Sequence, residues 1–199
     1  MIFTLAYKEF RSLLAMPSTW LLLGILQFIL AWYFLLRLDA FLQVQVQLAQ
    51  IANAPGATQA VAAPVASTVA LMMMMLAPLF TMRLIAEERR NQTLVLLMAS
   101  PIGSWQIVLG KFAGLFLFLL LIVASSLLML LVLALGTHVD GGLLLGNALG
   151  LLLLVASYTA LGLYFSALTT QPIVAAAGSL AVLFGMWLVD MAAADSDMA

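Results

Sequence analysis

Residues 83–111 read RLIAEERRNQTLVLLMASPIGSWQIVLGK and lie between two long apolar runs. They hold Arg83, Arg89, Arg90 and Lys111, four of the chain's 7 Lys and Arg, together with Glu87 and Glu88. This is the one sizeable stretch that can present charge to water. The fold that follows is a set of lipid-embedded helices carrying a single charged segment, which serves as a docking site for something in the adjoining aqueous phase.

The bulk composition agrees. Of 199 residues, 66% are hydrophobic and 8% charged, and the mean hydropathy is +1.21. Soluble domains are about 45–50% apolar and about 25% charged, and a soluble fold of this length could not cover so much apolar surface. The expected class is therefore all-α integral membrane protein. A net charge of −1 offers no basic face for nucleic acid. The absence of cysteine and the presence of one histidine, His138, exclude disulfides, thiolate chemistry and a histidine metal cluster.

Outward from the charged stretch, five spans are predicted, at about 20–36, 65–84, 112–135, 143–168 and 173–189, within a single domain covering 1–199. The first has 17 residues and reaches about 26 Å, slightly short of a hydrocarbon core of about 30 Å. Trp20, Trp32 and Tyr33 suit its interfaces. No small-residue cleavage site follows it, so it reads as an uncleaved span and not as a signal peptide. Residues 1–15, with Lys8, Glu9, Phe10 and Arg11 among apolar positions, read as an interfacial helix, which Pro17 and Ser18 break, with Ser18 or Thr19 available to cap the next helix. Residues 37–64 read as a polar loop containing a short helix, because Phe41, Val44, Leu48 and Ile51 recur at spacings of three and four. The methionine run 72–75 reads as core filling, and Pro78 as a kink in the second span.

With the N-terminus in the cytoplasm, that side receives Lys8, Arg11, Arg83, Arg89, Arg90 and Lys111, and the other side only Arg37. Six against one is a strong positive-inside bias.

The spans carry no ionisable group near their middles, which argues against a proton-driven transporter. Gln27, Ser125, Ser126, Asn147, Ser157 and Thr159 are explained by hydrogen bonds between helices. The nearest approach to a phosphate-binding loop is WQIVLGKF at 105–112, with Trp105 in place of the first glycine and Phe112 in place of Ser or Thr. Nucleotide hydrolysis, a resident cofactor and a catalytic residue are thus not expected on this chain, and Lys111 reads as an interfacial anchor. Gly110 with Gly114, and Gly146 with Gly150, have the spacing that lets helix backbones approach.

Within the central stretch, Arg89 and Arg90 follow the C-terminal end of the second span, where cations complement the helix dipole. Glu87 and Glu88 are left to pair with them or with a partner. Asn91 or Thr93 can cap a short helix over 94–100 that Pro101 ends, and Ser104 can cap the next. Leu94, Leu97 and Met98 make that short helix too apolar to stand free in water, so it must press on lipid or on another protein.

Here the sequence resembles the permease subunits of type-2 ABC exporters, in particular the gliding-motility-associated branch. The residues carrying the resemblance are MRLIAEERRNQTLVLLMASPIGSWQIVLGKF at 82–112, supported by KEFRSLL near the N-terminus and the glutamine-rich loop after the first span. The resemblance implies a bacterial inner-membrane protein in which two permeases pair with two cytoplasmic ATPase subunits. It implies that 1–15 is an elbow helix and that about 91–100 is a coupling helix seated on the ATPase. The partner-coupling residues are then Glu87, Glu88, Arg89, Arg90, Thr93, Leu94, Leu97, Met98 and Pro101. That family usually has six spans, and the expectation is that this chain lacks the last. The alternative function is a non-transporting anchor or assembly subunit that recruits a cytoplasmic partner through the same segment.

Overall fold

A computed structural model describes residues 2–48, 56, 58–92, 103–136 and 140–196. Among these there is no strand. The helices are α1 (Ile2–Ala15), α2 (Pro17–Leu48), a π-helical turn (Thr58–Ala62) that leads into α3 (Ala63–Thr81), the short α4 (Ala86–Arg90), α5 (Ser104–Gly136), α6 (Gly141–Leu168) and α7 (Pro172–Ser196). Among the described residues, five stretches are long and apolar enough to cross a membrane: Pro17–Val44, Thr58–Arg90, Ser104–Leu133, Gly141–Leu168 and Pro172–Ala193. They coincide with the five predicted spans, and the protein is an all-helical, multi-pass membrane protein.

Several boundaries differ from the sequence reading. The break after α1 falls at Met16, and Pro17 is the first residue of α2. Proline is well placed there, since its missing N–H would have had no partner in the first turn anyway. Ser18 and Thr19 are consequently inside the helix and do not cap it. The polar residues from Arg37 to Leu48 form no separate helix either, because α2 runs on without interruption to Leu48; Ile51 lies outside the described residues. Side-chain pairs one turn apart support this extension. Arg37 Nε donates to the Tyr33 hydroxyl at 2.8 Å, and Gln43 Nε2 donates to Asp39 at 2.9 Å. At the far end of the chain's central stretch, α5 starts at Ser104, with the Gln106 and Ile107 N–H groups on the Gly103 carbonyl. Gly103, not Ser104, holds the capping position.

The chain divides into two compact units, and α3, α5 and α6 each contribute one end to both. The second unit comprises Leu13–Met72 and Phe118–Leu154. Its core is built by Phe34, Phe41, Val61, Val65, Leu130 and Leu133, so Phe41, one of the helically spaced apolar residues, is a core residue of the extended α2. Ser125 Oγ lies 3.2 Å from Gln27 Oε1 of α2, but its shorter bond, at 2.7 Å, is to the Ile122 carbonyl of its own helix. Ser126 bonds the same Ile122 carbonyl at 3.1 Å. Asp140 Oδ1 accepts the Gly142 N–H at 2.9 Å and so caps α6, while its own N–H reaches Thr58 Oγ1 at 3.0 Å.

The first unit comprises Met1–Ser12, Met73–Leu117 and Val155–Ala199. Pro78 lies inside α3, which ends one turn later in a turn over 82–85 leading to α4. In this unit Thr159, too, turns back on its own helix, to the Val155 carbonyl. Hydrogen bonding between helices therefore accounts for only some of the polar residues expected to serve it. The charged run AEERR forms its own helix, α4, and does not prolong the second apolar run.

Candidate functional site

Lys111 sits in the second turn of α5 and is 1% exposed. Its ammonium donates to Glu88 Oε1 of α4 at 2.7 Å and to Glu9 Oε1 of α1 at 3.1 Å. A lysine at this depth would ordinarily extend its head to water. Here two carboxylates from two other helices enclose it, so it is no interfacial anchor: it is the pin through α1, α4 and α5. The three groups sum to one negative charge.

Glycine makes the approach possible. A Cβ at position 110 would lie 2.7 Å from Leu5 Cδ2, and one at position 114 would lie 2.7 Å from the Ala6 carbonyl oxygen and 2.8 Å from Glu9 Cβ. The Gly110/Gly114 pair is thus the seat of α1, and it delivers Glu9 to Lys111. Gly146 and Gly150, with the same spacing, face nothing within 4 Å.

On the other side, α4 is held by α6. The Ser166 hydroxyl is fully buried and accepts the N–H groups of Ile85 and Ala86, both at 3.1 Å, while donating to the Met82 carbonyl at 3.2 Å. The first N–H groups of a helix have no partner within it, and α4 has no side-chain cap of its own. Ser166 supplies that cap from 80 residues away in the chain. Arg89 Nη1 in turn donates to the Ala167 carbonyl at 2.9 Å, in the last turn of α6. Arg89 therefore complements the carbonyl end of α6 and not that of the second span. Gly162 of α6 packs against the Thr81 side chain at the end of α3.

The predicted site residues separate as follows. Glu87, Glu88, Arg89 and Arg90 lie together on α4. Glu88 is half-buried and turned to Lys111, whereas Glu87, Arg89 and Arg90 are exposed, Arg89 along the end of α6. Of the α1 residues, Glu9 faces Lys111, Phe10 is half-buried, and Lys8 and Arg11 are exposed. Asn91 is the C-cap of α4, and Gln92 follows with φ 58°; the short helix expected over 94–100 lies outside the described residues. Thr93, Leu94, Leu97, Met98 and Pro101 lie outside the described residues. Ser166 was not singled out in the sequence at all: a lone serine in an apolar helix carries no signal of a distant partner. Lys111 could have been found, being the one cation set inside an apolar helix with glycines on both sides.

Arg83, Glu87, Arg90 and Asn91 also line a cleft of about 780 Å³, whose other wall is Gln171 and Ile173 at the turn into α7.

The arrangement holds no nucleophile beside a base and, among the described residues, no group of side chains that could hold a metal ion. What it shows is a set of ties: α4 is bonded through Glu88 to Lys111 of α5, which also holds Glu9 of α1, and to Ser166 and Ala167 of α6. A family model described as ABC-2 family transporter protein matches residues 3–195, nearly the whole length. Neither the curated proteins nor the solved structures contain a match. With its five apolar spans and a family match from end to end, the chain belongs to the ABC-2 family of transporter proteins and is a membrane permease subunit of an ABC transporter, a system that includes an ATPase.

Proposed function

We propose that this permease is driven by a separate cytoplasmic ATPase that grips residues 91–100, and that α4 transmits the movement into the spans. The observation that carries this reading is the Lys111 pin. The segment 91–100 follows α4 directly, and α4 is bonded to α6 and to Lys111 of α5, which in turn holds Glu9 of α1. On this reading a push at 91–100 passes through α4 to the spans. In this reading Glu87, Glu88, Arg89 and Arg90 with Thr93, Leu94, Leu97, Met98 and Pro101 form the coupling region of one permease domain. The amphipathic α1, with Lys8 and Arg11 exposed, lies along the cytoplasmic face of a bacterial inner membrane. The six-to-one distribution of cations supports that orientation. The likeness over 82–112 supports the gliding-motility-associated branch and a pair of permeases with a pair of ATPases.

The test is ATPase activity of the reconstituted complex with Leu97→Asp and, separately, Arg90→Glu. Membrane insertion is expected to remain intact, while stimulation of the ATPase by the permease falls. Undiminished stimulation and co-purification in both variants would sink the proposal, and capture of a partner without a nucleotide-binding loop would favour the anchor reading.

A further inference from the structure

The fold consumes some of its charged groups and leaves others. Lys111 is paired with Glu9 and Glu88, and Arg89 is committed to the Ala167 carbonyl. Arg83, Glu87 and Arg90 make no ion pair among the described residues, although all three line the same cleft. Arg83 and Arg90 therefore bring two guanidinium groups against one carboxylate, a local excess of one positive charge. Asn91 and Gln171 add amide donors beside them. The start of α7 at Pro172 contributes the positive end of a helix dipole to the same wall. Guanidinium groups bind phosphate through paired N–H donors and give up hydration more readily than ammonium groups.

The position of the cleft indicates where such a phosphate comes from. Arg83 follows the second apolar run and Pro172 precedes the fifth, so the cleft lies where two spans leave the apolar layer. Its apolar rim includes Ile173, which is 79% exposed, and Val174 beside it is also exposed. Charged donors within and bare aliphatic side chains at the edge match an amphiphile whose phosphate enters the cleft while its chains stay in the bilayer. A soluble anion would leave that apolar rim without a purpose. Basic pockets between spans are suited to anionic headgroups, with each cation near the surface contributing to the attraction.

We propose that the cleft bounded by Arg83, Glu87, Arg90 and Gln171 binds the phosphate headgroup of an anionic phospholipid. This is independent of how the permease is driven, since it requires no ATPase. It is tested with the full chain in nanodiscs of phosphatidylcholine, with and without phosphatidylglycerol, by counting retained lipid in native mass spectra. The wild-type chain is expected to retain phosphatidylglycerol selectively. The pair R83Q/R90Q is expected to lower retention on the order of tenfold to thirtyfold, and E87Q to raise it. Opposite signs from neighbours in one cleft cannot come from a general loss of folding. Equal retention by wild type and R83Q/R90Q, or weakening by E87Q as well, overturns the proposal. So does stabilisation of the wild type by inorganic phosphate in phosphatidylcholine discs with nothing added by phosphatidylglycerol, which would give the site to a soluble phosphate.

Discussion

Lys111 illustrates how differently one residue reads in a sequence and in a fold. Adjacent to an apolar run it looks like a boundary marker, but the two carboxylates that surround it come from positions 9 and 88, and nothing local announces them. Removing one partner of a buried ion pair costs about 3–5 kcal/mol, because the charge left behind has lost its compensation. Lys111→Met is expected to destabilise by that amount, since it strands two carboxylates close together. Glu9→Gln should cost less, because Glu88 at 2.7 Å still holds the ammonium. Thermal unfolding of the detergent-solubilised chain would order the two variants. Ser166→Ala deprives two N–H groups and one carbonyl of a partner at once, and the expected loss is about 1–3 kcal/mol, read in the same assay. Its isosteric counterpart Thr159→Val should cost less, because Thr159 only bonds the carbonyl of its own helix.

At the scale of the element, two G-x-x-x-G pairs with identical spacing have opposite fates. An added methyl at Gly114 meets a backbone oxygen, which cannot swing aside as a flexible side chain would. Gly114→Ala is therefore expected to loosen α1, whereas Gly146→Ala and Gly150→Ala, with open space around them, are expected to be neutral or to stabilise by up to about 1 kcal/mol through better helix propensity. At the end of α4, Gln92 occupies a left-handed conformation in which a side chain is strained and glycine is not. Gln92→Gly should raise stability by about 0.5–1 kcal/mol. Spacing alone could not separate these cases, since a motif states what a helix can offer and not what reaches it.

For the whole molecule, the five spans were legible because hydrocarbon demands long apolar helices and tolerates little else. The extension of α2 to Leu48 was less so. Its glutamines carry no apolar periodicity strong enough to choose between a continued helix and a new one, and the choice was made by Phe41 finding the core of Phe34, Val61 and Leu133. The site was legible as a charged run on the correct stretch, Glu87 to Arg90, and its mechanical links were not, because each joins residues about 20 to 100 positions apart. The orientation proposed for the chain has its own test: single cysteines at Gln92 and Gly142 should label from the cytoplasmic and the outer face respectively, and reversal of the two would invert the assignment. The Lys111–Glu9 bond also has a bearing on biogenesis, since its partners are separated by 102 residues. At about 5–20 residues per second, the ribosome delivers the lysine several seconds after the glutamate. During that interval the first helix has neither its seat on Gly110 and Gly114 nor the partner of its acid. A nascent chain arrested before Gly110 should therefore leave residues 2–15 open to protease, and release of the stall should close them.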